Sequence, residues 1–318
     1  MTSGKNVNAK IVVAGSTGLV GKAVVKKLAY LGLNHIGITR ADANLLDYDS
    51  IQKLIHELRP TCIIDAAAVV GGIKYNSEFP VKFLIENLEI QNNLMRAAHE
   101  ANVEKFIFLG SSCVYPRNCP QPIKEEYLLT GELESTNSAY ALAKIAGIEL
   151  IKSYRKQHVR KWISLMPTNI YGPGDNFDPN NAHVIPALIR KFLSAKNNNL
   201  PNVEVWGTGK AQREFLFVDD LADAILFCLD KYDSSMHLNI GFGTEISINE
   251  LAKLISEVVG YSGEISFNSN LPDGTPRKLL DSSKIFSMGW KPSTSLHEGI
   301  KLTVDWYIEN IEGAKIDH

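Results

Sequence analysis

The stretch Lys10-Ile-Val-Val-Ala-Gly-Ser-Thr-Gly-Leu-Val-Gly21 decides how the chain folds. Lys10 to Ala14 is a short, β-branched apolar run of the kind that a parallel sheet buries on both faces. It leads directly into a glycine turn and then into the helical pattern of Lys22 to Leu31. Strand, glycine turn and helix in that order make a cradle for a dinucleotide. Gly15 permits the tight turn, Gly18 the close approach of a pyrophosphate, and Gly21 the close packing of the helix. Ser16, Thr17, Leu19 and Val20 complete the segment that would face phosphates at the helix N-terminus.

The same alternation continues downstream. Strands are expected at about His35 to Thr39, within Pro60 to Ala68, at Val103 to Leu109 and at Trp162 to Met166, with helices over Asp49 to Arg59, Val81 to Asn102 and from Ser138 toward Lys156. This predicts an α/β fold built on a doubly wound parallel sheet. Beyond Pro167-Thr-Asn-Ile-Tyr-Gly-Pro173, read as a turn-rich exit, the alternation weakens. A polar loop from Gly174 to His183 precedes a helix from Val184 to about Ala195. Further elements are read at Val203 to Trp206, Arg213 to Leu229, His237 to Ile240, Ile248 to Val259 and Leu296 to Ile311. Residues 1–173 therefore form a dinucleotide-binding domain to which 214–242 return, and 174–318 mainly form a smaller, interleaved substrate domain.

Composition narrows the function classes. The 318 residues are 45% apolar and 21% charged with a formal net charge of −2, so there is core enough for a large soluble protein and no broad basic field for nucleic acid. No apolar run nears the roughly 20 residues that span a bilayer, and the polar start Met1-Thr-Ser-Gly-Lys-Asn lacks a signal core. A cytoplasmic protein without membrane partners is expected. Four cysteines, Cys62, Cys113, Cys119 and Cys228, show no C-x-x-C spacing, so neither a metal site nor a disulfide framework is indicated.

The chemistry is carried by Tyr140-Ala-Leu-Ala-Lys144, downstream of the loop Leu109-Gly110-Ser111-Ser112-Cys113-Val114-Tyr115-Pro116. If Ser138 caps the helix, Tyr140 and Lys144 lie one turn apart and face the same way. A free phenol titrates near roughly 10, and an adjacent ammonium favours its ionised form and brings it toward neutral pH. A serine hydroxyl from the upstream loop would hold a substrate oxygen against the phenol. Such a set moves a proton onto or off a carbonyl oxygen. Arg40 stands at the end of the second strand, where an NAD-binding chain usually offers an acid, and a guanidinium there suits the 2′-phosphate of NADP. Asp42 is nearby, Asp47 is placed to meet the adenine, and the small Ala66, Ala67 and Ala68 let a cofactor lie close.

These motifs together resemble the extended short-chain dehydrogenase/reductase superfamily, which has a Rossmann sheet, over nearly the whole chain. Within it the chain is similar to the epimerase-reductases of GDP-4-keto-6-deoxy-D-mannose. The segments Leu109 to Pro116, Tyr140 to Gly147, Pro167 to Pro173 with His183-Val-Ile-Pro186, and Pro272-Asp-Gly-Thr-Pro-Arg-Lys278 carry that likeness. The resemblance implies NADPH as reductant, Tyr140 as proton donor, Lys144 on the nicotinamide ribose, and Ser111, or alternatively Ser112, on the sugar oxygen. It implies Cys113 as base and His183 as acid for epimerisation. It also implies Lys191, Trp206, Arg213 and Asp273 against the GDP-sugar, and Leu109, Gly110, Pro167, Thr168, Asn169 and Ile170 beside the cofactor. A homodimer through the Val81 to Asn102 and Tyr140 helices follows from the same likeness. Thr17 departs from the pattern, since many members carry an arginine in the glycine turn, which leaves one phosphate ligand fewer.

Carbons 3 and 5 both flank the 4-keto group, so loss of either proton gives an enolate that Ser111 and Tyr140 can stabilise, and hydride delivery to carbon 4 then ends the sequence. The expected product is GDP-L-fucose. Three rival readings stand beside it. Colitose formation uses the same ring carbons, and the sequence hardly separates it from fucose. A nucleotide-sugar 4,6-dehydratase or 4-epimerase keeps its cofactor bound and recycles it, and a dehydratase would place a carboxylate where Ser112-Cys113 stands. A non-catalytic NADP sensor has no need of Ser111, Tyr140 and Lys144 together.

Overall fold

The computed structural model describes residues 10–312, and the polar start Met1 to Asn6 lies outside the described residues. The chain runs β1 (Ile11–Ala14), α1 (Leu19–Tyr30), β2 (His35–Ile38), α2 (Tyr48–Leu58), β3 (Cys62–Asp65), α3 (Ile73–Glu78), α4 (Pro80–Glu100), β4 (Lys105–Leu109), α5 (Ser138–His158) and β5 (Ile163–Pro167). It continues through β6 (Asn169–Tyr171), α6 (Val184–Asn197), β7 (Asn202–Trp206), β8 (Gln212–Arg213), β9 (Phe215–Phe217), α7 (Val218–Lys231) and β10 (Leu238–Ile240). Last come β11 (Ile246–Ser247), α8 (Ile248–Val259), β12 (Glu264–Asn268), β13 (Arg277–Lys278), α9 (Ser283–Ser287) and α10 (Leu296–Tyr307).

Six strands form one parallel sheet in the order β10-β5-β4-β3-β1-β2. Alternate residues of each strand enter different cores. Val12, Ile63 and Phe108 join Ile51, Leu94 and Ile148 from α2, α4 and α5, while Val13, Ile64 and Ile107 join Val24, Leu28, Leu221 and Ile225 from α1 and α7. Burial on both faces is why these strands read as continuous apolar runs. The chain leaves β1 toward β2 on one side and returns through β3 on the other. A crevice therefore opens between the carboxyl ends of β1 and β3.

The remaining strands pair β6 with β9, β7 with β12, and β8 with both β11 and β13. With α6, α8 and α10 they enclose a third core of Ile189, Phe192, Val205, Phe217, Leu251, Ile255 and Ile300. Three local expectations need correction. Ser138 is the first residue of α5 and not its cap; Asn137 precedes it without a side-chain capping bond. The exit after Pro167 contains a strand, β6, and the last α-helix stops at Tyr307, followed by a π-turn over Ile308–Glu312. Among the described residues no helix is long and apolar enough to cross a membrane.

The crevice floor is backbone against backbone. Gly15 has φ of +74°, and a Cβ there would stand 2.7 Å from the Ala67 Cα. A Cβ on Gly21 would overlap the Gly15 carbonyl oxygen, so α1 is seated on the turn itself. Gly21→Ala should therefore lower the stability measured by urea unfolding by about 1–3 kcal/mol, because backbone cannot yield as a side chain can.

Candidate active site

Tyr140 and Lys144 emerge from the first two turns of α5 and face one way. The Lys144 ammonium is 5.8 Å from the centre of the Tyr140 ring, 4.8 Å from that of Phe108, and donates to the Leu109 carbonyl at 3.0 Å. That bond anchors α5 to the end of β4, where the serine loop begins. Burial, reinforced by Cys113 and Asp65, pushes the Tyr140 phenol well above its ordinary range, which corrects the expectation that the neighbouring ammonium brings it toward neutral pH. Lys144, only 3% exposed, is held below the usual lysine value by burial, with Asp65 and Cys113 pulling it back up.

Beyond β4 the loop winds into a tight turn over Ser112–Val114, with the Ser111 hydroxyl accepting the Cys113 N–H at 3.3 Å. Ser112 and Cys113 are buried, while Ser111 is partly open. Burial raises the Cys113 thiol, and the Lys278 ammonium and Ser111 hydroxyl draw it back down. His183 immediately precedes α6. Much of its surface is open to the cleft, yet the protein packed around the ring, together with Lys278, holds its pKa below the usual imidazole value. One ammonium thus faces both the sulfur and the imidazole.

Lys278 continues into a polar wall. Arg213 donates to the Asp273 carbonyl at 2.9 Å, and the Asp273 carboxylate accepts from the Thr208 N–H and hydroxyl, each at 2.8 Å. Glu134, 6% exposed, faces both Arg213 and Lys278 and pairs with Arg117 at 3.3 Å. Farther out, Lys191 stands 5.8 Å from the Trp206 ring centre and donates to the Glu204 carbonyl at 3.0 Å. Trp206 is 46% exposed, which leaves an aromatic face open to solvent.

On the other side, Ser16 to Gly21 run from the turn into α1, and Ser16 donates to the Ile38 carbonyl at 3.1 Å. Thr39 satisfies the Asp42 carboxylate through its N–H at 2.7 Å and its hydroxyl at 2.8 Å, so exposed Arg40 is the charge offered there. A dinucleotide fits this lining. Gly15 and Ala67 leave no side chain between turn and floor, and the N-terminus of α1 has no side-chain cap. Asp47, by contrast, caps α2 through the Asp49 N–H at 3.2 Å. Thr168 donates its hydroxyl to the Glu214 carbonyl at 3.2 Å, as Asn169 does its amide at 2.7 Å. Leu109, Gly110, Pro167 and Ile170 supply the adjoining strand ends. Among the described residues no acidic, histidine and cysteine cluster could hold a metal ion.

Residues 11–241 match the NAD dependent epimerase/dehydratase family. The chain is 50% identical over 312 residues to GDP-L-fucose synthase 1 of Arabidopsis thaliana, covering 98% of this chain and 97% of that one. It is 37% identical to GDP-L-colitose synthase of Yersinia pseudotuberculosis, covering 94% and 98%. A GDP-L-fucose synthetase of Naegleria fowleri bound to NADP superposes with a TM-score of 0.89 at 30% identity, covering 97% and 96%. The chain belongs to the NAD dependent epimerase/dehydratase family. It is an α/β enzyme of that family.

Three charged residues of the site were not singled out from the sequence: Lys278, Glu134 and Asp65. The serine loop also has a hidden support. Tyr115 donates to the Asn239 carbonyl oxygen, whose amide is committed to the Ile123 carbonyl, so the His237 Nε2–H donates to Tyr115 at 3.0 Å. Nδ1 is then the bare nitrogen, and it is buried without a partner. Burial, with Lys152 and Lys284, brings His237 down to about 4 from 6.5. A neutral imidazole is what the fold accepts, so its contribution is complete above pH 6.5 and is lost as pH falls toward 4. The loss should reach about 3 kcal/mol. Urea unfolding should show that decline between pH 7 and pH 4 shrinking in His237→Gln relative to the parent chain.

Proposed function

We propose that this chain is an NADPH-dependent epimerase-reductase that converts GDP-4-keto-6-deoxy-D-mannose to GDP-L-fucose. What carries the reading is that Lys278 bears electrostatically on both Cys113 and His183, while Cys113 is tied to Ser111 in the loop after β4, to whose end Lys144 is also bound. A plain reductase has no use for a thiol and an imidazole arranged around a common cation next to its proton donor.

Ser111 and Tyr140 hydroxyls hold the 4-keto oxygen, with Ser112 behind them in the turn. The ketone acidifies carbons 3 and 5, and the two hydroxyls stabilise the enolate oxygen as it forms. In the resting chain Cys113 is a thiol and His183 a neutral imidazole, as their shifts require. A thiolate with a protonated imidazole carries the same number of protons as the resting pair, and Lys278 favours the thiolate. Cys113 then removes a ring proton and His183 returns one to the opposite face. The glycine turn, Arg40 and Lys144 would hold NADPH, which would supply the hydride for carbon 4. Tyr140 protonates the alkoxide, with Lys144 beside it.

The nucleoside diphosphate belongs along the outer wall, where Trp206 offers a face for the base and Arg213, Lys191 and Lys278 offer positive charge. The higher identity to the fucose enzyme favours fucose over colitose. We also infer a homodimer formed through α4 and α5, which pack together and leave Val81, Ile85 and Leu142 exposed, and a cytoplasmic location, which suits four free thiols.

Purified chain with NADPH and the keto-sugar should consume NADPH and give GDP-L-fucose by NMR; no consumption sinks the reading. In deuterated water without NADPH, Cys113→Ser should cut deuterium entry at carbons 3 and 5 by roughly 100-fold or more while still binding NADPH. Unchanged exchange would remove Cys113 from the site.

A further inference from the structure

β3 ends in a carboxylate that the chemistry above does not use. Asp65 is 1% exposed. Its Oδ1 accepts the Ala67 N–H at 3.2 Å, while Oδ2 is buried with no hydrogen-bond partner. A buried carboxylate with an open oxygen is costly unless positive charge compensates it.

Sheet register identifies the compensating charge. Asp65 is the direct partner of Phe108 on β4, so the two side chains leave the sheet on the same face, the one that α5 covers. The Lys144 ammonium stands over that Phe108 ring, and its bond to Leu109 goes to a neutral carbonyl. The titratable groups that face Lys144 are Asp65 from β3, Cys113 from the serine loop and Tyr140 from its own helix. Asp65 is the one carboxylate among them.

We propose that Asp65 is the buried counter-ion of Lys144, a positioning residue that acts on the reaction by keeping that ammonium charged inside a site closed to water. The catalytic part of this rests on the proposed function; the pairing itself does not. Each group shifts the other in the direction the pairing requires. Burial holds Lys144 down and Asp65 is the foremost influence restoring it. Burial pushes Asp65 up to about 6, and Lys144 is the foremost influence opposing that. Once ionised, Asp65 favours the protonated form of Lys144. Without the carboxylate, burial is opposed by Cys113 alone, and a neutral amine cannot assist a phenol that its surroundings already hold far from ionisation. Asp65 immediately precedes Ala66 and Ala67, where Gly15 comes closest.

Asp65→Asn keeps the size of the side chain and the acceptor for Ala67. Lysine labelled with 13C at Cε reports Lys144 directly in the ligand-free protein, the resonance being assigned by its loss in Lys144→Arg. The Lys144 midpoint should fall by at least about one pH unit in Asp65→Asn. In the reductase assay the upper pH limit of kcat should move down with the Lys144 midpoint, a one-unit shift giving up to roughly tenfold loss above that limit and recovery below it, with KM for the GDP-sugar unchanged. An unmoved Lys144 midpoint overturns the pairing. A shifted midpoint in a chain whose parent form does not reduce the sugar overturns the functional reading and leaves the pairing intact. If Asp65→Asn does not fold, the parent protein decides the question: its Lys144 resonance should inflect near pH 6 as Asp65 ionises, and a flat trace there refutes the proposal.

Discussion

The approach of two backbone turns, the one after β1 and the one after β3, constrains everything else in this molecule. Gly15 lies so close to Ala66 and Ala67 that no side chain fits between them, and Gly21 lies so close to Gly15 that α1 must start there. The first contact makes the crevice shallow enough for a flat ligand to reach backbone N–H groups. The second aims the helix N-terminus at that crevice. Because β3 must end where Ala66 and Ala67 can form the floor, Asp65 is carried into the interior. A charge follows from a packing constraint.

Around that floor the site is assembled from groups that water would normally stabilise. Burial moves Lys144, Lys278 and Arg213 down and Cys113 and Tyr140 up, each toward its neutral form. Few anions offset this. Asp65 faces Lys144, Glu134 faces Arg213 and Lys278, and the Asp273 carboxylate is tied to Thr208. A doubly charged diphosphate and a phosphorylated ribose are therefore the natural complement of the cleft: they bring the negative charge that the chain lacks there, and they exclude the water that weakens every interaction within.

What the sequence made legible was whatever is local. The glycine turn, the runs Ile11 to Ala14 and Lys105 to Leu109, and the one-turn spacing of Tyr140 and Lys144 each declare themselves within a dozen residues. The three-residue β6 and two-residue β8, β11 and β13 do not, because strands that short exist only through partners far along the chain, as Arg213 with Ile246 and Lys278 shows. The same separation hid part of the site. Asp65 reads as the polar end of a strand and Lys278 as one more cation near a Pro-Arg pair; nothing within ten residues says that the first is buried or the second half-buried. Cys113 and His183 stand out only through the family that their surrounding segments resemble, since a lone cysteine and a lone loop histidine carry no spacing signal.

The proposed chemistry explains why the epimerising and reducing groups share one electrostatic neighbourhood. Reduction removes the ketone, and with it the acidity of carbons 3 and 5, so proton exchange at those carbons must come first. Cys113 raises the Tyr140 pKa, and the influence is strongest when the sulfur is ionised. While the thiolate is working, Tyr140 is therefore held as a phenol and keeps its hydrogen bond to the enolate oxygen. Once the thiol has its proton back, that hold relaxes, the phenol becomes a stronger acid, and the alkoxide formed at carbon 4 can take its proton. Both phases use the Lys144 ammonium beside Tyr140, and a buried carboxylate one strand away is a simple means of keeping it charged.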